Sequence, residues 1–200
     1  MTVVNREAPL RISGATDAPA PVVQLLSNGR YHVMVTSAGG GSSRWKNLAI
    51  TRWRDDATCD NWGAFCYIRD VANGDVWSTA YQPTLQRADS SEATFSVGRA
   101  VFRRRDHDIE THMEIAVSPE DDVELRRVRI TNDSPARRVL DVVSYAEIVL
   151  APPATDAAHP AFSKLFVETE ILGEPQAILC TRRPRAPGEP TPWMFHLLTA

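Results

Sequence analysis

The sequence predicts an all-β chain folded as an antiparallel sandwich or barrel. Three observations carry that prediction. Short segments alternate apolar and polar side chains with the period of two that buries one strand face and exposes the other. Turn chemistry (Pro, Gly, Asn-Gly) interrupts them roughly every 8–15 residues. No segment shows a sustained amphipathic-helix period. The 200 residues, 43% hydrophobic and 24% charged, suffice for one substantial core.

Taken in order, residues 1–21 contain the Pro/Ala/Gly-rich stretch "SGATDAPAP", which lacks apolar periodicity and reads as a linker or loose N-terminal arm. Residues 22–200 form the β-domain. In "SNGR", Asn28-Gly29 is a turn because both residues tolerate positive φ. It opens "RYHVMVT", with Tyr31, Val33 and Val35 on one face and His32, Met34 and Thr36 on the other. Gly39, Gly40 and Gly41 follow, and they mark either a sharp bend in a β framework or backbone brought close to a ligand.

"AFCYIRD", "DVWS" after the turn "VANG", and the long alternation "ATFSVGRAVFRRR" are the next strands. "HDIETHMEIAV" is the cleanest, with Ile109, Met113, Ile115 and Val117 opposed to Asp108, Glu110, His112 and Glu114. "SPEDD" turns into "VELRRVRITN", and "NDSPARR" is expected to close a hairpin to "VLDVVSYAEIVL". "DAAHPAF", Asp156 to Phe162, reads as a loop broken by Pro160, with one short helical turn expected around 155–164. "KLFVETEI", "QAILCTRR" and "PWMFHLLT" bring the total to roughly ten strands. The last stops while still apolar. That predicts a sheet edge without its partner, self-association through it, and a chain that is a segment of something longer.

Charge and composition exclude several functions. A net charge of −3, from 22 basic and 25 acidic residues, gives no electrostatic case for nucleic acid or an anionic membrane. "RRR" at 103–105 is offset by "DHDIE" directly after it. Cys59, Cys66 and Cys180 are an odd set without a CxxC pair, so no disulfide framework or zinc knuckle is expected, and a reducing compartment is. No apolar run approaches the ~20 residues of a membrane span, and no signal peptide is visible; the expected location is the cytoplasm. The five histidines lack metal-ligand spacing. "AGGGSS" lacks the Lys-Ser/Thr ending of a phosphate loop, and there is no GxSxG elbow. Asp55/Asp56 and Asp121/Asp122 stand in turn-like contexts. Composition and spacing demonstrate no catalytic residue.

The stretch from Thr51 to Pro83 is the densest in functional side chains, with Trp53, Trp62 and Trp77 interleaved with Arg52, Arg54, Arg69 and several aspartates. Two readings compete. Aromatic faces stack on the apolar face of a pyranose while Arg, Asp and Asn bond its hydroxyls. Alternatively, the tryptophans fill a sandwich core and the Arg–Asp pairs are structural.

"LLSNGRYHVMVTSAGGGSSRWKNLAITRWRDDATCDNWGAFCYIRD", then "GDVWSTAYQP", "ETHMEIAVSPEDDVELRRVRITN", "SYAEIVLAP", "DAAHPAFSKLFVETE" and "CTRRPR", resemble the N-terminal β-domain of the inverting glycoside phosphorylases. This is glycoside hydrolase family 94, once called glycosyltransferase family 36. Within it the chain is most similar to the phosphorylase-like C-terminal region of bacterial cyclic β-1,2-glucan synthases. The resemblance runs from Val22 to Leu198. It implies an antiparallel super-sandwich of galactose-mutarotase-like type, in truncated form, serving an (α/α)6 catalytic barrel that these residues do not encode.

The resemblance further implies a non-catalytic accessory or carbohydrate-binding role in a glycosyltransferase or phosphorylase acting on β-1,2-linked glucose chains. Candidate sugar contacts are Arg52, Trp53, Asp60, Trp62, Trp77 and Gln82. Candidate domain-interface residues are Gly39, Gly40, Gly41, Asp156 and His159. Where the family carries Tyr in its Gly-Gly-Tyr-Ser loop, this chain has Ser42. No catalytic residue, metal or cofactor is expected in the chain; inorganic phosphate would be bound by the barrel. The expected partners are a β-glucan oligosaccharide, the barrel and a second copy in a homodimer, with no nucleic acid or membrane contact. A parent attached to the inner membrane would hold this region on the cytosolic side. The alternatives are a self-contained carbohydrate-binding module, a purely structural dimerisation domain, and a mutarotase, which would need a His/Glu acid–base pair in a cleft.

Overall fold

The computed structural model describes residues 12–14, 16–18, 20–56 and 60–200. In chain order its strands begin with β1 (Ile12–Gly14), β2 (Val23–Ser27), β3 (Tyr31–Thr36), β4 (Gly41–Trp45), β5 (Leu48–Thr51), β6 (Ala64–Asp70), β7 (Val76–Ser78) and β8 (Ser90–Ser96). Then come β9 (Arg99–Asp106), β10 (Ile109–Val117), β11 (Glu124–Asn132), β12 (Leu140–Ala146) and β13 (Ile148–Ala151). Two short helices, α1 (Pro153–Ala158) and α2 (Pro160–Lys164), precede β14 (Val167–Leu172), β15 (Ala177–Arg182) and β16 (Trp193–Leu197). The chain is all-β and antiparallel, as the alternation predicts.

Two five-stranded sheets, ordered β1-β8-β9-β10-β11 and β13-β5-β4-β3-β2, face each other. Their inward residues are the alternate positions of the sequence pattern. Leu26, Tyr31, Val33, Val35 and Ile50 from one sheet pack against Ala93, Phe95, Ala100, Phe102, Met113 and Ile115 from the other. A three-stranded sheet, β12-β6-β7, sets Ile68 and Trp77 against Ile109 in a second buried cluster. A last sheet, β14-β15-β16, contributes Cys180 and Met194 to the main core. It is tied to β12 by the Ser144 hydroxyl, 2.7 Å from His196 Nε2.

Four expectations need correction. Residues 1–21 are not wholly an arm: β1 lies within them and pairs with β8 through Ile12↔Phe95. Main-chain pairing needs no apolar period, so composition could not announce it. "NDSPARR" does not close a hairpin. β11 ends its sheet while β12 pairs with β6, so the segment carries the chain from one sheet to another. Arg138 anchors that crossing by donating from Nε to the buried Asp70 carboxylate at 2.8 Å. "DAAHPAF" is not a loop: the helical turn expected around 155–164 is there, but as two short helices, α1 and α2, separated at His159 and both started by proline, which suits the first helical position. The strands number sixteen among the described residues, because "ATFSVGRAVFRRR" folds back at Val97-Gly98 into β8 and β9 and several strands span only three or four residues.

The glycine run turns β3 into β4. Thr36 N–H donates to the Gly40 carbonyl at 2.8 Å and Gly39 N–H to Thr36 O at 2.9 Å. Gly39 sits at φ +96°, where a Cβ would lie 2.3 Å from the Ala80 Cβ. A Cβ on Gly40 would fall 2.3 Å from the Asp60 carboxylate. The run is therefore a bend made by close packing against neighbouring chain segments.

Candidate functional site

The sheet β13-β5-β4-β3-β2 has a second face, and register decides its members. Leu25, Met34 and Ser42 stand opposite one another in sequence across β2, β3 and β4. Ser27, His32, Arg44 and Ala49 form the next row. With Lys46, Arg52, Trp53, Arg54, Val149 and α1 these rows line a cavity of about 670 Å³, within the range of small-ligand sites. Its floor is mixed. Leu25 and Trp53 are exposed, Met34 is half-buried, and Arg44 and Lys46 reach solvent from β4 and the following turn.

One end of the groove is closed by a buried ionic lock. Arg52, 3% exposed, donates from Nε and Nη2 to the two Asp156 carboxylate oxygens at 2.9 and 2.7 Å. Its Nη1 meets Glu147, which also pairs with Lys164 Nζ at 2.6 Å. Arg54 approaches Asp156 at 3.5 Å. Burial pushes the Asp156 carboxyl up, but the Arg52 hydrogen bonds and charge outweigh it and hold it below the usual carboxylate range. The lock fastens α1 to the end of β5. Arg182 fastens α2 in a comparable way: it donates from Nη1 to the Val149 and Ser163 carbonyls at 3.1 and 3.0 Å and stacks over Phe166.

The candidates picked from sequence separate into three places. Arg52 and Trp53 line the groove together with Asp156. Asp156 is 5% exposed and spent on Arg52, so it is not presented to a partner domain; His159 is exposed at the helix junction. Asp60 and Trp62 pack around the glycine turn. Asp60 accepts from Thr36 Oγ1 at 2.7 Å, burial raising its carboxyl and that bond partly offsetting it, and the Trp62 carbonyl accepts from Gly41 N–H at 2.8 Å. Gln82, 8% exposed, lies in the same corner, its N–H bonded to Ala38 O at 2.8 Å. Trp77 is corrected outright: at 1% exposure it is a core side chain beside Ile68 and Ile109, where no sugar reaches it. A tryptophan's place in a loop-rich stretch does not reveal which way its strand faces.

Sequence reasoning missed Arg44, Lys46, Met34 and Leu25. The available signal was that outward positions of adjoining strands carried apolar or cationic side chains without acidic neighbours. Among the described residues no group of three or more His, Cys, Asp or Glu side chains could hold a metal, and no helix is long and apolar enough to cross a membrane. Cys66 and Cys180 are buried free thiols; Cys59 lies outside the described residues.

A layered antiparallel sandwich bearing an open groove on one sheet defines a β-sandwich domain of the supersandwich class. The profile described as the glycosyl hydrolase 94 supersandwich domain matches residues 6–200, and the chain belongs to that family. It is 39% identical over 175 residues, 88% of its length, to the cyclic beta-(1,2)-glucan synthase NdvB of Rhizobium meliloti, of which it spans 6%. It is 26% identical over 77% of its length to the N,N'-diacetylchitobiose phosphorylase of Vibrio furnissii, spanning 20% of that protein. It is also 26% identical over 68% of its length to the solabiose phosphorylase of Paenibacillus borealis, spanning 18% of it. The chain thus corresponds to a small part of each relative's length.

Proposed function

We propose that the chain is the accessory β-domain of a cytoplasmic β-glucan-processing enzyme of the cyclic β-1,2-glucan synthase or phosphorylase type. It supports an (α/α)6 barrel that binds phosphate and performs the chemistry, and it contributes to a homodimer. The domain contacts the glucan through the groove on its outer sheet and carries no catalytic residue of its own. The observation behind this reading is Trp53, 42% exposed on the wall of the groove, where an indole face is free to stack on a pyranose.

Isothermal titration of the chain with β-1,2-linked gluco-oligosaccharides tests it. The expected result is saturable binding in the millimolar range or tighter, lost in Trp53→Ala and retained in Trp62→Ala, with the far-UV circular dichroism of each variant unchanged. Absence of binding removes the glucan contact and leaves a scaffold, the reading that the burial of Trp77 and the pairing of Arg52 would then favour.

A further inference from the structure

The groove's hydrogen-bonding inventory is lopsided. Its cationic groups come from three separate places: Arg44 on β4, Lys46 in the β4–β5 turn, and Arg52 with Arg54 beyond β5. The one acidic side chain lining it is Asp156, and both its oxygens already accept from Arg52. Thr51 Oγ1 is committed to Ser43 N–H at 2.8 Å, and the Ser27 hydroxyl is shared between His32 Nδ1 and Gly29 N–H at 2.8 and 2.9 Å. The Arg44 guanidinium has no hydrogen-bond or ion-pair partner among the described residues. Lys46 lies over the Trp45 ring at 4.3 Å, a contact that leaves its charge uncompensated. The free polar groups are thus mostly donors, and guanidinium and ammonium groups accept nothing.

A neutral sugar hydroxyl both donates and accepts, so a wall made mostly of donors leaves much of its donating capacity unmet. A phosphate or carboxylate accepts only, and it gains charge-assisted bonds from Arg and Lys. Leu25, Met34, Val149 and Trp53 also line the cavity, and that apolar surface suits the C–H face of a ring. We infer that the groove takes an anionic saccharide, a hexose ring carrying a phosphate or carboxylate group, in preference to a neutral glucan. The ring lies against Leu25 and Met34, in the row next to Arg44, and the anion against Arg44 and Lys46. This rests on the reading of the groove as a saccharide contact and specifies its ligand class.

Calorimetric titration of the 200-residue chain with glucose 6-phosphate, glucuronate, glucose and inorganic phosphate tests the inference. At least one of the two anionic sugars should bind saturably, about tenfold or more tighter than either glucose or inorganic phosphate. That binding should weaken about fivefold or more in Arg44→Ala and in Lys46→Ala, and fall as salt is raised from low to physiological strength. Both side chains are exposed, so neither variant threatens the fold. Equal affinity for glucose and the anionic sugars, inorganic phosphate binding as tightly as they do, or no binding of either overturns it. If neutral β-1,2-gluco-oligosaccharides bind with no gain from an anionic group, the glucan contact stands and the anionic preference fails. An anionic sugar bound in the absence of oligosaccharide binding keeps the preference and removes the glucan.

Discussion

The two large sheets of this sandwich present outer faces built on the same alternation but with opposite chemistry. On the face of β8, β9, β10 and β11, Glu110 stands opposite Arg105 and His112 opposite both Arg103 and Arg129. Arg103 in turn faces Glu92, and Arg105 reaches Asp108 and Asp133 at 3.0 and 2.7 Å. Charges there are interleaved, and exposed pairs of this kind contribute little individually while keeping the surface soluble. On the outer face of β2–β5, apolar Leu25 and Met34 adjoin unpaired Arg44, and the surface is concave. An outer face is a solvated wall when acidic and basic side chains interleave across it, and a candidate site when they do not.

The largest effect that would break this contrast lies at the groove's closed end. Arg52→Ala leaves Asp156 and Glu147 without their buried cation and should cost about 3–5 kcal/mol in urea unfolding. A cost near zero would mean that the lock is ornamental and that α1 docks by apolar packing alone. Next, the two faces of the groove sheet should differ sharply. Ile50→Ala, on the inner face at 5% exposure, should cost about 2–5 kcal/mol. Met34→Ala, half-buried on the outer face, should cost less than about 1 kcal/mol. Similar values for both would place a second core where we see an open groove.

The smallest expected effect is a pH dependence at His196. Burial depresses its imidazole below the ordinary value of 6.5, and Arg126 adds to this against a weaker pull from Glu124. Well above pH 6.5 the ring is neutral in both folded and unfolded chain, and its contribution is complete. As pH falls the unfolded chain takes the proton first, so stability declines and the loss is complete once the lower folded value is passed. The urea midpoint should therefore drop between pH 7.5 and 5, and His196→Asn should flatten that slope. An unchanged slope would show that the β12–β16 tie through Ser144 does not depend on a neutral ring.

Much of the fold was legible because alternation is a local property. "AFCYIRD" is β6 residue for residue, and the opposed sets of Tyr31–Thr36 and Ile109–Val117 are the inner and outer faces of β3 and β10. The family resemblance was legible for the same reason: its motifs are contiguous. The crossing at "NDSPARR" was not, since a Pro-containing turn has the same composition whether it closes a hairpin or changes sheets. Arg104 is a comparable case. It reads as the middle of a basic triplet offset by the acidic residues after it, yet strand alternation turns it inward at 2% exposure, where Asp106 accepts from its Nε and Nη2 at 2.7 and 2.8 Å.

The candidate site divides along the same line. Sequence singled out Arg52 and Trp53 as residues with chemistry to offer, because side-chain type is written directly in the chain, and the family resemblance added Asp156 as an interface candidate. Tertiary structure decided that Arg52 and Asp156, 104 residues apart, neutralise each other, that Trp77 is core, and that Arg44 and Lys46, without a carboxylate partner, line one cavity with Trp53. Burial and pairing are properties of which strands become neighbours. Neighbours in a sheet are set by pairing between distant segments, and no local pattern encodes that choice.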